Sequence, residues 1–230
     1  MKLQLPQVTL LGIDCVDSAR LIQVAEICTR DIEFGAVKLL TDRLVKNRDA
    51  VKIPNIPNLR AYSHFVVKKL HDYVDTDYVL LFQHDGFILN AKAWKDEFLK
   101  YDYIGAPWWY ADGLNVGNGG FSLRSKKLLS LVQKDKRIVQ HHPEDHHICR
   151  TYRPYLEAHG MRFAPETLAT QFSIEGKSRE HDSAASNTWH GQFGFHGLDK
   201  VDISAWLIQH PEESTIANVL SKKYRRERVI

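Results

Sequence analysis

The chain has 230 residues, of which 43% are hydrophobic and 26% are charged, and its formal net charge is +3. This length suits one large α/β domain, and the composition is that of a globular protein with a sizeable core. The small net charge does not indicate a nucleic-acid-binding surface, so we expect no nucleic acid partner. Three widely spaced cysteines without a CxxC pair favour a reducing compartment over a disulfide framework.

No stretch of the sequence reaches the roughly 18 consecutive apolar residues that a membrane-spanning helix requires. The N-terminal apolar run is interrupted by Pro6, ends at Asp14 and lacks a cleavage-like site, so it is typical of a first strand and not of a targeting segment. We therefore expect a cytoplasmic protein.

The first half of the chain alternates between strand and helix patterns. The predicted strands are residues 8–13, 36–40 and 77–82. The predicted helices are residues 19–30, with Ser18 as N-cap, and a second helix from Ser63 to about residue 73. Residues 47–60 contain two prolines and three asparagines and are predicted to form a loop. The strands are apolar throughout, as in a parallel sheet that is covered on both faces.

The second half is less regular. The predicted elements are a helix at 92–100, a short strand at 121–124, a helix from Lys126 and a helix with Pro143 as its first residue. Residues 176–200 are polar and rich in Gly, Ser and His, which is typical of an active-site loop, and a last helix ends in a basic tail.

The fold class that follows is α/β, with a mixed, mainly parallel central sheet flanked by helices. We expect one domain over residues 1–230, made of a first half (1–90), a second half (91–200) and a C-terminal helix with the basic tail (201–230).

Polar residues follow each of the first three strands: Asp14, then Asp42, then Gln83, His84 and Asp85. Ligands of open α/β sheets bind beyond the carboxyl ends of the strands, so these side chains are candidates for binding a substrate. A carboxylate such as Asp85 suits a hard cation that carries phosphates. The alternative is that Asp85 only begins a β-turn with Gly86.

The segments YVLLFQHDGFI, YDYIGAPWW, VGNGGFSLRS, PEDHHIC and FGFHGL follow one another along the chain. In this order they resemble a bacterial glycosyltransferase-like family of GT-A fold, the fold of the nucleotide-diphospho-sugar transferases, over residues 8 to about 198. The resemblance implies transfer of a hexosyl unit from a nucleoside diphosphate sugar, with UDP favoured, to a saccharide or lipid-linked saccharide hydroxyl. It also implies an inverting reaction and a place in bacterial surface polysaccharide synthesis.

In GT-A enzymes an Asp-x-Asp triplet follows the third strand, and its last acid binds a metal that bridges the donor diphosphate. Here the triplet is Gln83, His84 and Asp85, which retains only the last acid. The resemblance assigns Asp85 and His196 to a Mn²⁺ or Mg²⁺ ion, with phosphate oxygens and waters as the other ligands. Gln83 can hydrogen-bond the donor ribose.

The glycine-rich turn of Gly117, Asn118, Gly119 and Gly120 is a second candidate for binding the donor. Glycines let backbone approach a sugar ring closely, and the Asn118 amide can both donate to and accept from hydroxyls. Such turns also serve only to connect strands. Trp108 and Trp109 are candidates for stacking on the acceptor sugar, or else belong to the core.

Glu144 and Asp145 resemble the acidic pair that supplies the general base in inverting members of the fold. We prefer Asp145 as the base and Glu144 as its support. A first-turn position favours the carboxylate form, although acids are also enriched there for helix stability alone. If the pair is only a helix-start signal, Asp14, Asp42 and the loop residues 176–195 are the next candidates.

Two other functions remain open from the sequence. The incomplete triplet also fits an inactive sugar-nucleotide-binding module of a larger synthase. The histidines of residues 141–147, with Cys149, suggest a zinc-dependent hydrolase, although adjacent helical residues point about 100° apart. Finally, the basic tail suggests peripheral contact with an anionic membrane at the inner face; the alternative is a solvated helix end. Its basic residues are Lys222, Lys223, Arg225, Arg226 and Arg228.

Overall fold

The computed structural model describes residues 1–176 and 187–213. Six strands form one sheet in the order β3-β2-β1-β4-β6-β5. They are β1 (Leu3–Ile13), β2 (Ile32–Thr41), β3 (Ala50–Lys52), β4 (Tyr78–Phe82), β5 (Tyr103–Ile104) and β6 (Ser122–Ser125). Neighbours among β1 to β4 pair in parallel, whereas β6 is antiparallel to both β4 and β5. The predicted mixed, mainly parallel sheet is therefore confirmed.

The register brings the carboxyl ends of three strands to one edge of the sheet. Gly12 of β1 lies opposite Leu39 of β2 on one side and Phe82 of β4 on the other. Asp14 and Gln83 therefore follow neighbouring strands at this edge, which is where an open α/β sheet binds its ligands. We call it the carboxyl edge.

Helices and 3-10 turns cover the sheet. The helices are α1 (Ser18–Thr29), α2 (Leu59–Lys68), α3 (Lys126–Lys134), α4 (Glu144–His146), α5 (Arg153–Ala158), α6 (Glu166–Phe172) and α7 (Ser204–Gln209). Within residues 1–176 and 187–213, no helix has the length and apolar character needed to cross a bilayer.

The sheet is buried on both faces, as its apolar strands predict. Successive residues of a strand point to opposite faces. Leu10 thus packs in the cluster that contains Leu21 of α1, whereas Leu11 packs in a second cluster with Phe65 of α2. Both leucines are fully buried. This double packing holds the strand ends, and the polar residues that follow them, in fixed positions.

A second, two-stranded sheet lies beside the segment that follows β4. Its strands, β7 (Ser173–Glu175) and β8 (Gly194–His196), pair in parallel and place Glu175 opposite His196. The Phe195 amide donates to the Phe87 carbonyl, and the Gly197 amide donates to the Asp85 carbonyl at 2.8 Å. These bonds bring a late segment of the chain to the carboxyl edge.

Several helix boundaries differ from the prediction. Asp17, not Ser18, caps α1, because its carboxylate accepts from the Ala19 and Arg20 amides. Asn58 caps α2, five residues before the expected cap Ser63, which is buried inside the helix with its hydroxyl 2.9 Å from His142 Nδ1. Asp and Asn are as favourable at an N-cap as Ser, so the sequence alone does not distinguish Asp17 from Ser18 or Asn58 from Ser63.

Other elements differ as well. Residues 92–100 do not form a continuous helix but two 3-10 turns, Ala91–Ala93 and Asp96–Lys100. The predicted loop at 47–60 contains β3, which pairs with the end of β2. Pro143 is the N-cap residue of α4, not its first helical residue, and α4 continues as a π-helical turn, His147–Thr151. Of the predicted active-site loop, residues 177–186 lie outside the described residues, as does the basic tail.

Candidate functional site

The turn after β4 places a buried carboxylate at the carboxyl edge. Gln83 and Gly86 exchange backbone hydrogen bonds at 3.1 Å, so a turn forms here, but it begins at Gln83 and not at Asp85. Asp85 within it is only 3% exposed, and its Oδ1 atom has no hydrogen-bond partner among the described residues. An unpaired buried carboxylate oxygen costs free energy unless a charge balances it, which points to a functional position.

His196 is the group that faces this oxygen. Its Nε2 atom lies 3.6 Å from Asp85 Oδ1, and its Nδ1 atom donates to Glu175 Oε1 at 3.2 Å. Burial opposes a charge on His196, but the two carboxylates outweigh it and raise the pKa of the imidazole to about 10. Burial likewise works to raise the pKa of Asp85, but His196 and then His84 hold it well below its usual range.

The pair of Asp85 and His196 fits a divalent cation in geometry, and also in donor type once the cation displaces the proton from His196 Nε2. Mg²⁺ ligands lie about 2.1 Å from the ion, so two atoms up to about 4.2 Å apart can share one. Within the described ranges, no group of three or more His, Cys, Asp or Glu side chains is placed to hold a metal. The described residues therefore offer two ligands, an arrangement that suits a Mg²⁺- or Mn²⁺-like ion whose other ligands are phosphates and waters.

The acidic pair at the start of α4 divides into two environments. Glu144 is 5% exposed, and its Oε1 atom accepts from Nη2 of the fully buried Arg124 at 2.9 Å. Arg124 also reaches Ser122 Oγ at 3.0 Å and lies over the Tyr103 ring, 5.0 Å from its centroid. Glu144 is thus committed to a buried ion pair, which leaves Asp145 as the only acid of the two that is partly exposed.

Asp145 has a raised pKa. Its Oδ2 atom accepts from the Gly119 amide at 2.9 Å, and its Oδ1 atom accepts from the His146 amide. Burial, together with the negative charges of Glu144 and Glu175, raises the pKa of Asp145 to about 7 despite these bonds. A first-turn position favours the carboxylate form, but at Asp145 burial and the neighbouring negative charges outweigh the effect of the helix end on the pKa.

The glycine-rich turn packs against the protein's own side chains. A Cβ atom at Gly117 would lie 2.1 Å from the Trp108 ring, one at Gly119 would lie 2.2 Å from Glu144 Oε1, and one at Gly120 would lie 2.1 Å from His196 Nε2. The glycines were expected to let the backbone approach a sugar ring closely. In the structure the backbone instead approaches the side chains of Trp108, Glu144 and His196. The turn joins the Asp85–His196 pair to the acidic pair, since residues 119 and 120 are adjacent.

Asn118 faces inward. It is fully buried, has a φ of 69°, and its Oδ1 atom accepts from the Gly120 amide at 2.8 Å. The structure therefore gives this oxygen to the turn itself, where it stabilises a left-handed backbone conformation that asparagine tolerates. Its Nδ2 atom has no hydrogen-bond partner among the described residues.

A cleft of about 240 Å³ opens beside these groups. Trp108 and Glu175 line it together with residues of α6 and of the segment 188–192. The Trp108 Nε1 atom donates to Glu175 Oε2 at 3.0 Å, so one edge of the indole is fixed while the residue still contributes to the wall. Trp109 is 43% exposed and contributes to a neighbouring, more open depression with Tyr110.

The remaining candidates at the carboxyl edge have partners of their own. The Asp14 carboxylate is buried, forms an ion pair with Arg20 and accepts from the Val16 and Asp17 amides. Asp42 Oδ2 accepts from Asn55 Nδ2 at 2.6 Å, whereas its buried Oδ1 atom has no hydrogen-bond partner among the described residues. Asp14 therefore stabilises the turn between β1 and α1.

Gln83 and His84 flank the turn. Gln83 donates from Nε2 to the Tyr62 hydroxyl at 2.9 Å. The Nδ1 atom of His84 lies 4.0 Å from Asp85 Oδ1, and burial lowers the pKa of this imidazole. Both side chains stay close to Asp85, but among the described residues His84 does not complete a group of three ligands with Asp85 and His196.

The histidine cluster is used for local contacts. His142 Nδ1 contacts Ser63 Oγ, and His147 Nδ1 contacts Thr151 Oγ1 at 3.0 Å. His141 Nε2 lies 3.1 Å from the Ile138 carbonyl, and Cys149 is fully buried. The described part of the chain therefore does not bring these rings and the thiol together as one ligand set.

Sequence reasoning missed two residues of this arrangement, Glu175 and Arg124. A signal for Arg124 was present, because an arginine inside an apolar strand is almost never buried without a partner. Glu175 gave no such signal, since its importance arises only from the pairing of β7 with β8.

A family model described as "Protein of unknown function (DUF5672)" matches residues 47–196. No curated protein sequence matches the chain. Among solved structures, the chain is similar to a galactosyltransferase, LgtC, in complex with donor and acceptor sugar analogues. That similarity has a TM-score of 0.48 at 15% identity and covers 93% of this chain and 96% of that one.

Two other solved structures are similar to the chain. One is the apo form of the glycosyltransferase GlyE of Streptococcus pneumoniae TIGR4, with a TM-score of 0.45, 12% identity, and coverage of 97% of this chain and 64% of that one. The other is a glycosyltransferase involved in the glycosylation of the major capsid of PBCV-1. It has a TM-score of 0.47, 11% identity, and coverage of 89% of this chain and 98% of that one.

Proposed function

The chain belongs to the DUF5672 family, and we propose that it is a GT-A type glycosyltransferase that moves a hexosyl unit from a nucleoside diphosphate sugar to a hydroxyl of a saccharide or lipid-linked saccharide. The donor diphosphate binds at Asp85 and His196, and the acceptor binds in the cleft beside Trp108. The reaction is inverting, UDP is the favoured nucleotide, and the setting is bacterial surface polysaccharide synthesis.

The observation that carries the proposal is that one glycine-rich turn lies against both Asp145 and the His196 partner of Asp85, two carboxylates whose pKa values differ. Asp85 is buried, strongly acidic and directed at His196, whereas Asp145 has a pKa of about 7. A transferase needs both, because one group must hold a cation with the diphosphate and the other must accept a proton near neutral pH. Acids whose environments separate their pKa values in this way are typical of acid–base sites.

The residues divide the work as follows. Asp145 takes the proton from the acceptor hydroxyl as that oxygen attacks the anomeric carbon, and the Gly119 amide keeps its carboxylate in place. Glu144 and Arg124 hold the start of α4 against the turn. A Mn²⁺ or Mg²⁺ ion bound by Asp85 and His196 would neutralise negative charge on the departing diphosphate.

The proposal is tested first by ligand binding. A thermal-shift screen of the full chain against UDP-, GDP-, CMP- and dTDP-sugars, with and without Mn²⁺, should show stabilisation that depends on both ligands. At 100 times its dissociation constant a ligand adds about 2.7 kcal/mol to the free energy of unfolding. Donor hydrolysis or transfer by the same sample separates an enzyme from an inactive sugar-nucleotide-binding module.

The variant Asp85→Asn should remove the Mn²⁺-dependent stabilisation and the transfer activity, because the amide is a poor cation ligand. Asp75→Asn is the matched control. Asp75 precedes β4 at the opposite edge of the sheet, is 59% exposed at its side chain and pairs with Lys38. Equal behaviour of the two variants, or stabilisation by nucleotide sugars that Mn²⁺ does not affect, would contradict the assigned donor site.

A further inference from the structure

His196 lies between two carboxylates, Asp85 and Glu175. The proposed reaction gives a role to Asp85 but none to Glu175. Glu175 accepts from His196 Nδ1 through Oε1 and from Trp108 Nε1 through Oε2. Both oxygens of one carboxylate are therefore used by two different side chains. One of these side chains faces the possible cation position, and the other lines the cleft.

The backbone fixes this geometry. Glu175 and His196 are register partners in the parallel pair of β7 and β8, and the Gly176 amide donates to the His196 carbonyl at 3.4 Å. Gly120 leaves room for the imidazole on its other side, since a Cβ atom there would lie 2.1 Å from Nε2. The ring thus has one orientation, with Nδ1 toward Glu175 and Nε2 toward Asp85.

Metal-ligating histidines almost always donate their second ring N–H to a carboxylate or carbonyl, which fixes the tautomer and the ring plane. Trp108 is restrained in turn, because its ring fills the space that a side chain at Gly117 would take. An anchored indole limits where the Glu175 carboxylate can go.

We propose that Glu175 is a positioning residue that directs His196 Nε2 at a divalent cation, and that Trp108 contributes to cation affinity by holding Glu175. The proposal rests on the cation site of the proposed function. It assigns Glu175 no contact with substrate and Trp108 no contact with the ion.

The test uses Mn²⁺ alone as the probe, with binding to the full chain followed by electron paramagnetic resonance. Glu175→Ala and Glu175→Gln should weaken Mn²⁺ binding about 10- to 100-fold, the usual effect of losing such a partner. Glutamine has one acceptor oxygen and satisfies only one of the two donors. Trp108→Phe, which keeps an aromatic ring but removes the N–H, should weaken binding several-fold.

Glu166→Gln is the matched control. Glu166 lines the same cleft, and its carboxylate accepts from Asn115 Nδ2 at 2.6 Å instead of from His196. Its Mn²⁺ affinity should equal that of the unaltered protein. The double variant Trp108→Phe with Glu175→Ala should bind Mn²⁺ as Glu175→Ala alone does, because Trp108 acts only through Glu175.

A second measurement does not depend on the cation. Proton–nitrogen spectra of the histidine side chains should show a protected Nδ1–H signal, identified by its loss in His196→Gln and absent from Glu175→Ala. Tight Mn²⁺ binding by Glu175→Ala, or an unchanged Nδ1–H signal in that variant, would overturn the positioning role. Failure of the unaltered protein to bind Mn²⁺ would count against the proposed cation site, while the Nδ1–H signal would still decide the role of Glu175.

Discussion

At the scale of single residues, Asp145 shows how the environment selects one acid from an adjacent pair. Glu144 is buried and paired with Arg124, so its carboxylate is not available to a substrate. Asp145 lies beside that charge, partly exposed, and its pKa rises to about 7. A general base is most effective when its pKa lies near the working pH, so the geometry favours Asp145.

The first prediction concerns the pH dependence of transfer. The base acts in its deprotonated form, so the rate should rise with pH through about 7 and fall as Asp145 becomes protonated below that value. Glu144→Gln removes a charge that raises the pKa of Asp145, so this limb of the profile should move to lower pH. The measurement is kcat/KM against pH for both proteins, and a profile that stays in place would contradict the electrostatic role of Glu144.

The second prediction concerns the loss of the base. Asp145→Asn should lower the turnover about 10²- to 10⁴-fold and leave the affinity for the nucleotide sugar unchanged, because the base contacts the acceptor. Calorimetric titration with the donor, beside single-turnover kinetics, separates the two effects. Full activity in this variant would exclude Asp145 as the base and leave Asp14, Asp42 and the segment 176–195 as the next candidates.

At the scale of elements, a buried ion pair joins β6 to α4. Arg124 is fully buried, and its charge is balanced by Glu144 at 2.9 Å. Removing one partner of such a pair leaves a buried charge without compensation, whereas removing both is often tolerated. The ion pair therefore connects the site to the sheet. Its contribution to the free energy of unfolding depends on the presence of both Arg124 and Glu144.

The third prediction follows from this coupling. Arg124→Met should lower the free energy of unfolding by about 3–5 kcal/mol, because it leaves Glu144 charged and buried. Adding Glu144→Gln to that variant should restore most of the loss. Urea unfolding of the two single variants and the double variant measures the coupling, and losses that simply add would show that the ion pair is not the source of the effect.

At the scale of the whole molecule, charge is concentrated in one region of the sequence. The last nine residues carry five basic residues and Glu227, a net charge of +4, against +3 for the entire chain. These residues lie outside the part of the chain that the structure describes. We propose that they bring the protein to the anionic cytoplasmic leaflet, where each basic residue near the surface contributes roughly 1 kcal/mol.

The corresponding prediction is measured by liposome co-sedimentation. The full chain should sediment with anionic vesicles but not with neutral ones, and truncation after Ser221 should abolish this binding. High salt should weaken it, because ions screen charges at a surface. Equal binding to both vesicle types, or binding to anionic vesicles that survives the truncation, would exclude the tail as the membrane contact.

The sequence predicted the sheet because its strands are apolar without interruption and end in polar residues. Strands such as β4 need burial on both faces, and their position between helical segments leaves few arrangements. The predicted start of α2 was wrong because Asn58 and Ser63 are both good caps. The choice between them depends on which face of the helix packs on the sheet. Residues 92–100 are helical in pattern but settle as 3-10 turns.

By itself, the sequence determined the fold class and the presence of acidic groups at the ends of strands, since both follow from local patterns of polarity. Only the tertiary structure decided which of these groups meet. Asp14 pairs with Arg20, whereas Asp85 faces His196. The second pair forms because backbone hydrogen bonds join the segment after β4 to the segment around β8, which lies more than 100 residues later in the chain. The raised pKa of Asp145 is likewise a property of burial and neighbouring charge, which no local pattern encodes.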